Sequence, residues 1–197
     1  MKDRNGWKTG ASEVHFKNDH LEVVTETVDS PGRPDGQAWT IVRRKAAVVV
    51  APMTRDGRIV LIRQERIPIR EAIWELPAGQ VDEPGELTPS LLESVALREL
   101  REETGFELSV TGKLTPLGHF YSSPGFTDER CYFFLARPVE SASGKSGHHE
   151  SESILDCRTF STEEVGRMVA ENEIRDANTL SMFARLIAAG LFRFGRS

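Results

Sequence analysis

Arg98–Phe106 (RELREETGF) carries the strongest structural signal in the chain, because it is the acidic end of a predicted helix. The helix begins at Thr88-Pro89, where a capping hydroxyl precedes proline in the first turn. It ends at Gly105, which suits the left-handed terminal position. Its carboxylates extend the apolar arc that should face the protein body, whereas solvated acids normally lie opposite that arc. The acids on this arc are Glu99, Glu102 and Glu103, and its apolar members are Leu92, Val95 and Ala96.

Three carboxylates that point inward repel one another unless a cation neutralises them or some are protonated. Oxygen ligands with open coordination positions suit Mg²⁺ or Mn²⁺, which also bind substrate phosphates. The alternative is a solvated acidic face balanced by Arg98 and Arg101. A metal site at this helix is therefore one of two interpretations of the acidic arc.

Around this helix, the sequence predicts a mixed sheet covered by helices on both sides. Two alternating segments, separated by a turn at PGRPDG, precede a valine-rich strand that is typical of burial on both faces. The predicted strands are 20–29, 37–43, 46–53, 59–64, 73–76, 108–121, 129–136 and 154–160. The later helices are predicted at 161–170 and 176–192, and the surface loops at 122–128 and 140–153.

Composition excludes several classes of function. The 197 residues are 39% hydrophobic and 28% charged, as expected of one globular domain. The net charge of -5 and the lack of a basic stretch argue against a nucleic-acid partner. The longest apolar run, Ala46–Pro52, is too short to cross a membrane, and we expect no secretory signal at the N-terminus. Two cysteines, Cys131 and Cys157, favour a reducing compartment, so the expected location is the cytoplasm.

Gly79–Phe106 (GQVDEPGELTPSLLESVALRELREETGF) resembles the signature box of the Nudix hydrolases, which split nucleoside diphosphates linked to another group. The second half matches the family pattern at each defined position. In the first half, six residues separate Gly79 from Glu86 and eleven separate Glu86 from Arg98, which is longer than usual and leaves the role of Glu86 open. The resemblance implies an α/β/α sandwich with a mixed sheet and an N-terminal antiparallel β extension. We expect the extension at 1–44, for dimerisation and base binding, and the Nudix domain at 45–197.

The resemblance also implies a metal site. Glu99 and Glu103 would be principal ligands of Mg²⁺, with Mn²⁺ as a substitute. Glu102 would bind the metal directly or through water, and the carbonyl of Ala78 would complete the site. Arg98 would orient the carboxylates with its planar guanidinium.

Four further segments are similar to the ADP-ribose pyrophosphatase branch of the family, so the expected reaction is hydrolysis of ADP-ribose to AMP and ribose 5-phosphate. They extend the similarity over nearly the whole chain. The segments are 63–66 (RQER), 73–79 (IWELPAG), 120–129 (FYSSPGFTDE) and 173–180 (EIRDANTL).

The branch resemblance assigns four substrate-binding residues. Trp39 would stack on the base, and Arg44 would cover its other face or hold a phosphate, although a strand tryptophan packed on a neighbour is an equal alternative. Arg66 would contact the diphosphate or terminal ribose, with a surface salt bridge as its alternative. Pro124 marks the substrate loop, where an ordinary turn is the alternative. The resemblance implies a homodimer.

A hydrolase needs a base for the attacking water, and this branch commonly uses a glutamate on a loop outside the box. We prefer Glu152 as this base, and Glu150 is the alternative. His148 and His149 share that loop and are more typical of solvated surface.

Two other functions stay open. One is a Nudix hydrolase of a different nucleoside diphosphate sugar, such as a GDP-sugar. The other is a Nudix-like module that binds ADP-ribose without cleaving it, which the three intact acids argue against.

Overall fold

The computed structural model describes residues 5–143 and 153–195. Within them the chain forms ten strands and three helices, in two compact units. One unit contains residues 5–46 and 121–130, and the other contains the described residues of 47–120 and 131–195. The strands are β1 (Lys8–Lys17), β2 (Leu21–Ser30), β3 (Arg33–Arg44), β4 (Ala47–Thr54), β5 (Ile59–Arg66), β6 (Glu71–Glu75), β7 (Ala78–Gln80), β8 (Phe106–Tyr121), β9 (Arg130–Ser141) and β10 (Ile154–Phe160). The helices are α1 (Pro89–Thr104), α2 (Thr162–Ala170) and α3 (Ala177–Ala188).

The first unit is built on an antiparallel sheet of order β1-β2-β3. The predicted turn at 31–36 is wrong in part, because β3 already begins at Arg33 and pairs there with Ser30. Strand β1 was not predicted at all. All ten of its residues are exposed, so its sequence lacks the apolar alternation that burial imposes.

The second unit contains a mixed sheet of order β10-β5-β4-β9-β8, with β6 paired to β5 and β7 paired to β4. Strand β4 runs parallel to β9 and antiparallel to β5 and β7. Central position explains the valine-rich sequence of β4, since Val48, Val49 and Val50 are all fully buried.

Helices cover both faces of this sheet. Val49, Leu61 and Phe133 pack in one cluster with Met168 of α2 and Phe183 of α3. Successive strand residues point to opposite faces, and α1 contacts β4, β5 and β7 on the other face. The predicted α/β/α sandwich with a mixed sheet is therefore confirmed.

Local signals set most helix ends. Thr88 caps α1 by accepting the Leu91 N–H, and Gly105 closes it with a φ of 70°. The last helix is shorter than the predicted 176–192, because it ends at Ala188 and the chain turns at Gly190 with a φ of 69°. No helix among the described residues is long and apolar enough to cross a membrane.

Candidate active site

The acidic arc of α1 is turned toward the body of the second unit, as predicted. Glu99 is 6% exposed and Glu103 is 2% exposed, and both lie on the face that buries Leu92, Val95 and Ala96. Burying carboxylates is costly unless hydrogen bonds or positive charges compensate. The groups that bind Glu99 and Glu103 therefore indicate the function of this face of the helix.

Backbone groups of β7 provide part of that compensation. The Val50 N–H donates to the Pro77 carbonyl at 3.0 Å, so the alternation of an antiparallel ladder directs the polar groups of Ala78 away from β4. The Ala78 N–H donates instead to Glu103 Oε2 at 2.8 Å. The Ala78 carbonyl shares this direction, which places it on the carboxylate side of β7.

Gly79 provides a cradle for the second buried carboxylate. A Cβ built at position 79 would overlap the carboxyl carbon and both oxygens of Glu99. Only a residue without a side chain lets the Glu99 carboxylate lie against this backbone. Strand β7 was not predicted, because three residues are too few to show a pattern.

Arg98 bridges two of the carboxylates. One terminal nitrogen lies 2.9 Å from Glu99 Oε1, and the other lies 3.1 Å from Glu102 Oε2. Burial alone would lower the pKa of Arg98, but the charges of Glu99 and Glu102 raise it above its ordinary value. The guanidinium thus stays charged and joins Glu99 to Glu102.

The donor set suits a hard divalent cation. Glu99, Glu102, Glu103 and the Ala78 carbonyl offer only oxygen atoms, the ligands that Mg²⁺ and Mn²⁺ prefer. In residues 5–143 and 153–195, no group of three or more His, Cys, Asp or Glu side chains is arranged so that the side chains alone could hold a metal ion. Mg²⁺ commonly takes one or two carboxylates and keeps several waters, so the residues fit such an open site.

Arg66 lies on the same face of the sheet. Its Nε and a terminal nitrogen donate to the two carboxylate oxygens of Glu75 at 2.8 and 2.9 Å. Glu75 is 2% exposed. Burial lowers the pKa of Arg66, but the hydrogen bonds and charge of Glu75 outweigh it and raise the pKa. The planar guanidinium of Arg66 is therefore held in one orientation. Its partner Glu75 lies on the neighbouring strand β6 and was not predicted from the sequence.

A buried threonine fixes the segment that leads into β7. Thr179 is fully buried, and its Oγ1 accepts the Leu76 N–H at 2.9 Å. Asp176 caps α3 by accepting the N–H groups of Asn178 and Thr179. The 173–180 segment, which resembles the family, thus holds the LPAG segment (residues 76–79) in place through the hydrogen bond between Thr179 and Leu76.

The first unit brings together the other predicted binding residues. The Trp39 ring N–H donates to the Gly125 carbonyl at 3.0 Å, and the ring is 48% exposed. A terminal guanidinium nitrogen of Arg44 lies 3.2 Å from Glu129 Oε1, and the Val42 N–H donates to the Phe126 carbonyl. Strand β3 therefore holds the loop that contains exposed Pro124.

Two sets of predicted residues stand apart from these groups. Glu150, Glu152, His148 and His149 lie outside the described residues. Glu86 is exposed in the irregular segment before α1.

Comparison with known proteins identifies the family. The NUDIX domain profile matches residues 42–183, so the chain belongs to the Nudix family. It is 34% identical over 174 residues to the ADP-ribose pyrophosphatase of Bacillus subtilis (strain 168), covering 87% of this chain and 88% of that protein.

Two further similarities are informative. The chain is 35% identical over 160 residues to the methanol dehydrogenase activator of Bacillus methanolicus, covering 80% of this chain and 82% of that protein. A solved structure described as an ADP compounds hydrolase shares the fold, with a TM-score of 0.72 at 18% identity, covering 98% of this chain and 100% of that one. The protein is a Nudix hydrolase.

Proposed function

We propose that the protein hydrolyses the diphosphate of ADP-ribose to AMP and ribose 5-phosphate in a Mg²⁺-dependent reaction. The observation that carries this proposal is the meeting of two buried carboxylates, Glu99 and Glu103, with the backbone of Ala78 and Gly79. The similarity to the Bacillus subtilis ADP-ribose pyrophosphatase over most of both chains supports the choice of substrate.

The metal would be held by Glu99, Glu103 and the Ala78 carbonyl, with Glu102 direct or through water. When bound, Mg²⁺ neutralises phosphate charge and lowers the pKa of a coordinated water. Arg98 holds two of the acids in place before any ligand arrives.

The remaining steps fall to side chains of this chain. Arg66, oriented by Glu75, binds a diphosphate oxygen or the terminal ribose. Trp39 stacks on the adenine, Arg44 covers the other face of the base or holds a phosphate, and the Pro124 loop borders the base. One water molecule hydrolyses the P–O–P bridge, so that each product carries one phosphate.

The base that takes the proton from water is Glu152 in our proposal, with Glu150 as the alternative. Ser153, the first described residue after Glu152, is hydrogen-bonded to Glu65 of β5. Its carbonyl accepts the Glu65 N–H at 3.0 Å, and its hydroxyl donates to the Glu65 carboxylate at 2.5 Å. Glu152 directly precedes Ser153 in the sequence, whereas Glu150 precedes it by three residues, and this adjacency supports our preference for Glu152.

We also propose that the N-terminal extension, residues 1–44, dimerises and takes part in base binding. Strand β1 is exposed along its whole length, and Val14 and Phe16 are both more than half exposed. A second copy of the chain would cover these apolar side chains.

A substrate panel tests the function. ADP-ribose and a GDP-sugar are incubated with Mg²⁺, with Mn²⁺ and with EDTA, and products are identified by mass. We expect AMP and ribose 5-phosphate from ADP-ribose, and none with EDTA. Preference for the GDP-sugar would reverse the substrate assignment, and calorimetric binding of ADP-ribose without AMP release would indicate a binding module.

A further inference from the structure

Gln64 of β5 is a buried polar residue that has no role in the proposed hydrolysis. Its side chain is 5% exposed, and among the described residues its Oε1 has no hydrogen-bond partner. Buried amide oxygens almost always find a donor, and leaving one without a donor costs free energy. Such an atom needs an explanation, and a functional site is a common one.

The face on which Gln64 lies follows from alternation along β5. Ile59 and Leu61 pack in the cluster with α2 and α3, so Ile62, Gln64 and Arg66 lie on the opposite face. Cys157, which is opposite Ile62 on β10, donates its thiol to the Thr104 carbonyl of α1 at 3.6 Å. Gln64 therefore shares the face of α1.

The neighbours of Gln64 within the sheet do not supply a donor from their side chains. Ile73 lies opposite it on β6, and Ile154 lies opposite it on β10. The next residue on the same face is Arg66, whose fork is held by Glu75. Cys157 contacts the carbonyl of Thr104, the residue that follows Glu103 on α1. Gln64 thus lies on the face of the sheet against which the acidic end of α1 packs.

We propose that Gln64 Oε1 is a ligand-binding acceptor of this site and takes a hydrogen bond from an O–H donor, either a water molecule or a ribose hydroxyl of the substrate. The proposal rests on the proposed function. Diphosphate oxygens and carboxylates are acceptors, so neither can pair with an amide oxygen. The amino group of the adenine is also a donor, but we place the adenine at Trp39. The donors that remain for Gln64 are therefore ribose hydroxyl groups and water.

Gln64→Met tests this role, because methionine keeps an unbranched chain of similar length and removes the acceptor. Melting temperature, kcat, KM and calorimetric affinity for ADP-ribose are measured. We expect an unchanged or raised melting temperature, because the variant no longer buries an oxygen without a partner. We expect kcat/KM to fall roughly 3- to 10-fold, the worth of one neutral hydrogen bond.

The kinetic constants separate the two donors. If water is the donor, kcat falls while KM and calorimetric affinity stay unchanged. If a ribose hydroxyl is the donor, the affinity for ADP-ribose falls, and Gln64→Glu, which keeps an acceptor oxygen, restores it. Arg63→Gln, one residue earlier on the opposite face, is the control and should leave all four quantities unchanged.

Two results would overturn the proposal. A lower melting temperature in Gln64→Met would show that the amide is part of the core, and unchanged kinetics and affinity would show that no ligand uses it. The wild-type protein is assayed first with ADP-ribose and Mg²⁺. Absence of AMP release there counts against the proposed function, whereas an active wild type matched by Gln64→Met counts against the role of Gln64 alone.

Discussion

Gly79→Ala isolates the cradle that β7 forms for Glu99. The added Cβ overlaps the Glu99 carboxylate, so that group must retreat by on the order of 1 Å to reach ordinary van der Waals contact. The colliding atoms are the far end of a flexible side chain, so we expect the fold to survive at a cost of about 1 kcal/mol, or about 2–4 °C in melting temperature. A 1 Å displacement of a ligating group should lower kcat/KM by about 10²-fold.

The assay measures ADP-ribose hydrolysis over a range of Mg²⁺ and, separately, Mn²⁺ binding by calorimetry. Gly32→Ala is the matched control, because a Cβ at position 32 meets nothing within 4 Å. The double variant Gly79→Ala/Glu99→Gln should be no worse than Glu99→Gln alone, since both changes act through one carboxylate. Activity of Gly79→Ala within twofold of wild type, with unchanged Mn²⁺ affinity, would refute Glu99 as a ligand.

Three other variants examine separate parts of the molecule. Glu103→Gln should fold normally and lower kcat by about a hundredfold or more, and near-normal turnover at saturating Mg²⁺ would contradict its assignment as a ligand. Glu152→Gln should lower kcat by about 10²- to 10⁴-fold with little change in KM or metal affinity. Glu150→Gln is its control, and loss of activity there alone would move the base by two residues. Ser161→Ala removes the cap of α2 and should lower the free energy of unfolding by about 1 kcal/mol with kcat unchanged, as urea denaturation can show.

Features with a local chemical cause were predictable from the sequence. Thr88 and Gly105 mark the ends of α1 because capping depends on one side chain and one backbone angle. The 154–160 strand matches its prediction residue for residue. The buried carboxylates were also predictable, because helical periodicity alone places Glu99 and Glu103 on the apolar arc.

Features that depend on pairing across the fold were not predictable. Glu75 binds Arg66 only because β5 and β6 set them on one face, and no spacing rule within the sequence links them. The sequence around Gln64 does not distinguish it from an exposed polar residue. Its burial between Ile73 and Ile154 depends on strands β6 and β10, which pair with β5 on its two sides. Strand β1 was missed because an exposed edge strand has no buried face to pattern its sequence.

The contact between Trp39 and Gly125 bears on how the chain folds. These residues are separated by 86 positions, and Arg44 and Asp128 by 84, yet both pairs lie within the first unit. The β2–β3 hairpin is local and can form as soon as it is synthesised, whereas the 121–130 loop emerges only after most of the second unit's sheet. Completion of the first unit should therefore be a late event. A fragment that ends near residue 46 should contain the hairpin and leave the Val42 N–H and the Trp39 indole without their native partners. Conversely, removing residues 1–43 removes Val42, whose N–H donates to the Phe126 carbonyl. A loss of activity on this truncation would therefore have two causes, the missing residues themselves and a 121–130 loop that has lost this hydrogen bond.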